Sequence, residues 1–176
     1  MASRAKTKAA KAAARKTRSP SSTSSAADAI ELLQADHREV DAYFDAFEAA
    51  SDDAEKKLLA DKICRALKVH TQIEEELFYP PARQETGDGD LLDEALVEHA
   101  GAKTLIAQIE AMRPGQPLYD AKVKVLGEQV RHHVEEEETE LFPEVRNTAI
   151  DLEALGAKLA ARRSELMELL APVPAA

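Results

Sequence analysis

Four segments of this chain repeat apolar residues at steps of three and four, and each of these stripes includes one histidine. Such spacing puts the members of a stripe on one face of an α-helix, the face that packs into a core. The stripes consist of Ile30, Leu33, His37, Val40, Phe44 and Phe47; of Leu59, Ile63, Leu67, His70, Glu74 and Leu77; of Leu92, Leu96, His99, Ala102, Ile106 and Ile109; and of Val123, Leu126, Val130, His133, Glu137 and Leu141. A chain that buries one histidine on each of four helices is restricted to folds in which four helices meet.

Breaker residues between the stripes divide the chain into four long helices and a shorter fifth one. We predict helices over residues 26–50, 53–85, 90–112, 118–147 and 151–171. Short connections make neighbouring helices antiparallel, so the predicted fold is all-α, an up-down-up-down four-helix bundle. The fifth helix is predicted to pack outside the bundle, at one end of it, or against a second copy of the chain in a homodimer.

Composition supports a helical protein and excludes several other classes. The chain has 176 residues, of which 44% are hydrophobic and 4% aromatic, which favours one helical domain over a strand-rich fold. Its single cysteine, Cys64, cannot form an internal disulfide, and we interpret it as a small core residue rather than a redox thiol. No apolar run approaches the length of a membrane span, so we expect a cytoplasmic protein without a membrane partner.

Residues 1–25 differ in composition from the rest of the chain. They hold seven of the 23 basic residues and none of the 33 acidic ones, together with a Ser-rich stretch. We predict that they form a disordered basic tail and that the helical domain covers residues 26–176. A solvated extension is the simplest interpretation, and non-specific contact with nucleic-acid phosphates or a processed transit peptide are the alternatives.

Two of the stripes carry a glutamate four residues after their histidine. Glu74 follows His70 and Glu137 follows His133, so each pair lies on one helix face and can point at the same object. Buried carboxylates are unfavourable unless they are protonated, paired with cations or bound to metal. We expect burial and clustering to lower the pKa of the histidines and to favour neutral imidazole, the form that binds metal. A bound metal ion would neutralise the buried carboxylates and accept the lone pairs of the neutral imidazoles.

The chain also contains an internal repeat. His37 precedes His70 by 33 residues, and His99 precedes His133 by 34 residues. The two halves share an acid before the leading histidine and a proline ten residues after the second one, namely Asp36, Glu98, Pro80 and Pro143. The repeat predicts two helical hairpins related by an approximate two-fold axis, with a pseudo-symmetric site for two metals between them.

The series His, His-x-x-x-Glu, His, His-x-x-x-Glu, with Leu-Phe-(Tyr)-Pro near each glutamate, resembles the hemerythrin-like, HHE cation-binding domain over residues 28–146. This resemblance implies a non-haem di-iron centre with an oxo or hydroxo bridge inside the bundle. It implies four terminal ligands, His37, His70, His99 and His133, and two bridging ligands, Glu74 and Glu137. Manganese suits such nitrogen and carboxylate donors but is less favoured than iron, and zinc prefers tetrahedral, often thiolate-rich sites.

The sequence departs from the family's oxygen carriers at their fifth histidine. The positions one turn either side of His99 are Ala95 and Lys103, and the spare His132 points about 100° away from His133 around the helix. Roughly two coordination positions therefore stay open on the two ions. They suit peroxide or nitric oxide, or a further carboxylate. The candidates to complete the site or to hydrogen-bond a bound oxygen species are Glu136, Glu138, Tyr43 and Tyr79.

These observations predict a protein that binds or reduces a small oxidant, such as oxygen, peroxide or nitric oxide, in redox or stress handling. Whether it turns its ligand over as an enzyme stays open, and no separate catalytic residue is assigned. One alternative is an iron-sensing module whose metal occupancy changes the stability of the bundle. Another is a DNA-associated protective protein that uses its basic tail.

Overall fold

The computed structural model describes residues 27–87 and 89–171, which form helices and no strands. The predicted all-α class is confirmed, while the predicted tail over residues 1–25 lies outside the described residues. The helices are α1 (Ala29–Ala49), α2 (Asp53–Ile73), α3 (Tyr79–Thr86), α4 (Gly89–Glu110), α5 (Tyr119–Glu136), α6 (Phe142–Arg146) and α7 (Leu152–Leu169), with π-helical turns over Glu74–Phe78 and Glu137–Leu141.

The long helices close into a ring of four. Helix α1 packs against α2 and α5, and α4 packs against the same two helices from the other side. Each π turn joins its helix directly to the next one, so α2 continues into α3 and α5 into α6, as the two long predicted helices require. The predicted four-helix bundle is therefore confirmed. Helix α7 packs on the outside of α1 and α2, and the homodimer stays a prediction.

Aspartates fix where three of the helices begin. The Asp28 carboxylate accepts a hydrogen bond from the backbone N–H of Glu31, and the Glu31 side chain accepts one from Asp28 in return. Asp52 and Asp151 cap α2 and α7 in the simpler one-sided way. Each cap satisfies backbone N–H groups that have no partner within the helix. The connections can therefore be short, which holds neighbouring helices antiparallel.

Both π turns begin at a glutamate of the His-x-x-x-Glu motif. The backbone N–H of Tyr79 donates to the carbonyl of Glu74, five residues earlier, and that of Phe142 donates to the carbonyl of Glu137. The next residue in each case is a proline, which has no N–H and whose ring crowds the carbonyl four residues back. A wider turn relieves that crowding, and it inserts one extra residue just after the glutamate.

Two residues of the predicted stripes do not lie on the inward face. Leu77 is displaced by the extra residue of the π turn, and Leu96 was chosen where the helical spacing allowed two positions. Leu77 is only partly buried, and Phe78 takes the inward position because the π turn advances the register by one. In α4, Leu96 is 39% exposed whereas Ala95 is 5% exposed. Both positions lie at helical spacing from Leu92, and the sequence interpretation wrongly favoured the larger apolar residue.

The apolar core consists of two clusters with polar residues between them. One cluster lies toward α3, α6 and α7 and includes Phe78, Phe142 and Leu159, while the other includes Phe44 and Ile63 near the opposite end. The core position predicted for Cys64 is confirmed, since its side chain is buried in the second cluster. Among the described residues, no helix combines the length and hydropathy that crossing a membrane requires.

Candidate metal centre

Besides Thr71, the buried polar or charged side chains of the described residues are the six predicted ligands, which lie between the two apolar clusters. The histidines come one each from α1, α2, α4 and α5, and the glutamates from the first residue of each π turn. His37 Nε2 lies 3.1 Å from His70 Nε2, and His99 Nε2 lies 3.2 Å from His133 Nε2. The structure thus brings the four histidines together as two pairs.

Each glutamate contacts one histidine of either pair. Glu74 Oε2 lies 3.2 Å from His70 Nε2 and 3.4 Å from His99 Nε2. Glu137 Oε2 lies 3.4 Å from Nε2 of His37 and 3.5 Å from Nε2 of His133. Two carboxylates that span two histidine pairs in this way have the arrangement needed to bridge two cations.

Three of the four carboxylate oxygens at this centre are buried without hydrogen-bond partners. Both oxygens of Glu74 and Oε2 of Glu137 are fully enclosed and accept no hydrogen bond. Buried polar atoms in native proteins are almost always satisfied, and an unsatisfied carboxylate is the costliest exception. Ligand atoms of His37, His70, Glu74 and Glu137 lie within 4.8 Å of one another, and those of Glu74, His99 and His133 form a second such set. The donor set therefore fits cations better than it fits a core without them.

A second layer of carboxylates faces the outer nitrogens of two histidines. His37 Nδ1 lies 2.8 Å from Glu138 Oε1, and His99 Nδ1 lies 2.9 Å from Glu75 Oε1. A carboxylate can only accept, so Nδ1 carries the proton and Nε2 keeps its lone pair toward the centre. Lys103 donates to Glu75 from the other side. These contacts fix the tautomer and the orientation of the metal-binding ring.

The acids that precede the two leading histidines face the other two site histidines, Asp36 facing His70 and Glu98 facing His133. His133 Nδ1 lies 2.8 Å from Glu98 Oε2. His70 Nδ1 lies 3.7 Å from Asp36 Oδ2, which is too long for a hydrogen bond, and Arg163 Nε of α7 lies 2.9 Å from Asp36 Oδ1. In the sequence these acids served only to mark the repeat, and their role as partners of the site histidines was missed. The available signal was an acid adjacent in sequence to the other histidine of the same pair.

The charges of the site shift the pKa values of its members in different directions. Burial lowers the pKa of His99, as predicted. For His70 the prediction is wrong: burial acts to lower its pKa, but the Glu74 and Asp36 carboxylates outweigh burial and raise it to about 10. Burial likewise acts to raise the pKa of Glu137, but His37 and the other histidines hold it at about 2. The carboxylates and the histidines of the centre therefore stabilise one another's charged forms.

One hydroxyl breaks the two-fold symmetry of the site. Tyr79 stacks on His99 with 5.5 Å between the ring centres, and its equivalent Phe142 stacks on His37 at 5.9 Å. The Tyr79 hydroxyl donates to Glu137 Oε1 at 2.9 Å. Burial and the nearby carboxylates raise the pKa of Tyr79 well above its usual value, so the phenol keeps its proton.

The other candidates to complete the site lie outside its centre. Tyr43 donates to Glu39, next to it on the surface of α1. Glu136 lies 3.4 Å from His132, whose side chain is 62% exposed, as predicted for the spare histidine. Glu138 faces the outer nitrogen of its histidine, as described above. Of the four candidates, Tyr79 alone contacts one of the two buried glutamates, Glu137.

Comparisons with known proteins agree with this geometry. The model of the Hemerythrin HHE cation binding domain matches residues 28–145. A DNA nickase of Nostoc sp. (strain PCC 7120) is 32% identical over 117 residues, which are 66% of this chain and 33% of the nickase, so the chain spans about a third of that relative's length. The uncharacterized protein Rv2633c of Mycobacterium tuberculosis is 28% identical over 122 residues, 68% of this chain and 74% of the relative.

A solved structure shares the fold. The crystal structure of a Hemerythrin HHE cation binding domain-containing protein, the Rv2633c homolog from Mycobacterium kansasii, superposes with a TM-score of 0.70 at 25% identity. The match covers 81% of this chain and 89% of that protein. With the family model matching two helical hairpins and their His-x-x-x-Glu motifs, the chain belongs to the hemerythrin HHE cation-binding domain family.

Proposed function

We propose that this protein holds two iron ions and uses them to bind or reduce a small oxidant, namely oxygen, peroxide or nitric oxide. In this proposal His37, His70, His99 and His133 are the terminal ligands, and Glu74 and Glu137 bridge the two ions. The observation that carries the proposal is the pair of buried carboxylates, three of whose four oxygens accept no hydrogen bond and each of which contacts one histidine of either pair. Manganese fits the same donors and is the second choice of metal.

When bound, iron supplies one-electron redox chemistry and open coordination positions at which a small oxidant can bind. The chain supplies the rest of the chemistry. The carboxylates of Glu75, Glu98 and Glu138 keep three imidazoles in the tautomer that directs a lone pair inward. The protonated Tyr79 hydroxyl lies 3.3 Å from His99 Nε2 and is the proton-bearing group that contacts a bridging carboxylate.

The surroundings of His99 support an oxidant site with more than one open position. Ala95, one turn before it, is buried but has no donor atom, and Lys103, one turn after it, binds Glu75 at the surface. Neither position offers a fifth imidazole. The surrounding apolar clusters limit the access of bulk water, which protects reactive oxygen species from side reactions.

The test is the optical response of the ferrous protein to each oxidant. The full chain is loaded with ferrous iron under argon, and its absorption spectrum is followed after addition of oxygen, hydrogen peroxide or nitric oxide. We expect at least one oxidant to produce a new band in the wild type and in a Glu135→Ala/Glu140→Ala control, whose two carboxylates are exposed. The Glu74→Ala/Glu137→Ala variant should give no band. Unchanged wild-type spectra with all three oxidants would contradict the proposal.

A second candidate function is iron sensing through stability. The unsatisfied carboxylates make the metal-free core unfavourable, so metal binding should stabilise the folded bundle. A large rise in melting temperature on adding ferrous iron, without any spectral response to the oxidants, would favour sensing over redox chemistry.

The basic tail supports a third candidate, association with nucleic acid. One relative carries the name DNA nickase, and residues 1–25 hold a cluster of positive charge. Phosphate contacts of this kind weaken steeply with salt. The expected result is salt-sensitive binding to double-stranded DNA that is lost when residues 1–25 are deleted. If the shortened chain still binds DNA, the tail is not the part that contacts it.

A further inference from the structure

A cavity of about 260 Å³ lies beside the four site histidines, all of which contribute to its lining. It is enclosed by α1, α2, α4 and α5, and its remaining wall is mostly aliphatic. The wall includes Val40, Leu67, Ala102, Val130 and Val134. A ligand at the histidines therefore has an apolar chamber next to it.

The cavity is larger than a small oxidant requires. A diatomic molecule or hydrogen peroxide takes roughly the volume of one or two waters, about 30 Å³ each. Glu74 and Glu137 do not line the cavity, so ions held between them and the histidines would lie at its edge. An apolar protein cavity of about 150 Å³ accommodates benzene. Part of the 260 Å³ lies beside the exposed Val97 and Gln129, so the inner part holds about six carbon atoms.

The lining of the cavity defines what kind of molecule enters. No lysine or arginine of the described residues lines the cavity, and its one carboxylate, Glu98, is bound to His133. Gly101 of α4 and Gln129 of α5 both line the cavity, and a Cβ added at Gly101 would have Gln129 Oε1 as its nearest contact at 3.9 Å. Away from the histidines, the described part of the wall offers an alkyl group aliphatic contacts and offers a charged group no lysine or arginine partner.

We propose that this cavity binds a neutral organic molecule with an alkyl portion of about six carbons and one oxygen-containing head group directed at the histidines. An alkyl peroxide and the corresponding alcohol share this chemistry. The role of the head group rests on the proposed function, whereas binding of the alkyl portion depends only on the cavity. The site is thereby selective for organic ligands over the smallest oxidants.

The first test measures the affinity of straight-chain alcohols from butan-1-ol to decan-1-ol for the iron-loaded full chain by calorimetry under argon. Each methylene that enters the cavity should tighten binding about fourfold. Affinity should therefore rise with chain length and level off at about six carbons. Affinity that keeps rising to decan-1-ol, or no saturable binding at any length, would overturn the inference.

Three variants locate the binding. Ala102→Leu adds three carbons to the wall, so affinity should level off about three carbons earlier, and Val130→Ala removes two, so it should level off about two carbons later. Ala100→Leu is the matched control, because Ala100 is exposed on the same helix. Circular dichroism shows whether each variant folds. If Ala102→Leu does not fold, Val130→Ala still tests the inference. The same chain-length limit in all variants would place the alcohols elsewhere.

A second arm separates this inference from the proposed function. The ferrous protein is mixed with hydrogen peroxide or with n-pentyl hydroperoxide, which on reduction takes two electrons and two protons and yields pentan-1-ol and water. In Ala102→Leu the ratio of the rate with the alkyl peroxide to the rate with hydrogen peroxide should fall at least tenfold. An equal fall for both peroxides would overturn the inference alone. Saturable alcohol binding without reaction of either peroxide would support the cavity and count against peroxide as the oxidant.

Discussion

The Glu138–His37 hydrogen bond carries a prediction whose size follows from its geometry. Glu138 Oε1 lies 2.8 Å from Nδ1 of His37, whose ring is buried, while the Glu138 side chain is 32% exposed. Removing a partner of this kind from a metal-binding histidine weakens metal affinity about 10- to 100-fold, or about 1.4 to 2.8 kcal/mol. Because Glu138 is partly screened by solvent, we expect Glu138→Ala to weaken iron binding by about 10- to 30-fold.

The assay is competition for ferrous iron between the protein and a chelator of known affinity. Glu140→Ala is the matched control, since Glu140 is exposed two residues further along the same π turn. Glu138→Gln keeps an acceptor but loses the charge, so its affinity should fall between those of the wild type and Glu138→Ala. Equal iron affinity in Glu138→Ala and Glu140→Ala would refute the idea that outer carboxylates set the ligand strength of the histidines.

Three further predictions concern packing, backbone and the thiol. Gly156→Ala puts a Cβ 2.6 Å from the carbonyl oxygen of Ala27 and should force α7 away from the start of α1; we expect a loss of about 1–3 kcal/mol in urea unfolding, and an unchanged midpoint would contradict the close approach. Leu118 has a φ of 71° and an exposed side chain. Leu118→Gly should therefore relieve about 1–2 kcal/mol of backbone strain, while the greater entropy of the unfolded chain costs about 0.5–1 kcal/mol. We expect a slightly higher melting temperature, and a lower one would argue against that strain. Burial raises the pKa of the Cys64 thiol to about 12. Because only the thiolate reacts, the rate of its reaction with a disulfide reagent should be slow at pH 8 and rise about tenfold per pH unit through pH 10. A rate that levels off near pH 9 would show an ordinary thiol.

The bundle and the inward positions of the four histidines and two glutamates could be predicted because both follow from helical periodicity. His70 and Glu74 lie one turn apart on an inward face, and this relation depends only on the α-helical repeat up to that point. Beyond Glu74 the prediction failed at Leu77, because the π turn changes the repeat. The proline at position 80 was visible in the sequence, but its effect depends on which carbonyl it crowds.

The outer carboxylates could not be assigned from periodicity alone. Glu138 belongs to an acidic run that also fits a solvated helix face, and only the packing of α1 against α5 brings it to His37. Asp36 depends in a similar way on Arg163, 127 residues further along the chain. Contacts between helices decide both cases, and the sequence of one helix does not contain them.

The exposed position of His132, by contrast, could be predicted from the geometry of its own helix. It follows His133 directly, so the helical repeat turns it about 100° away from the inward face. Its side chain is 62% exposed, as that geometry requires. Local geometry was sufficient there because no contact with another helix decides the outcome.

The most direct test of the account is the iron content of the full chain after anaerobic reconstitution with ferrous iron and removal of unbound metal. The account predicts two iron ions per chain in the wild type and in Glu135→Ala/Glu140→Ala. It predicts loss of that iron in Glu74→Ala/Glu137→Ala, provided that circular dichroism shows the variant to be folded. No stoichiometric iron in the wild type, or undiminished iron in the Glu74/Glu137 variant, would contradict the proposed ligand set and leave the buried histidines as packing residues.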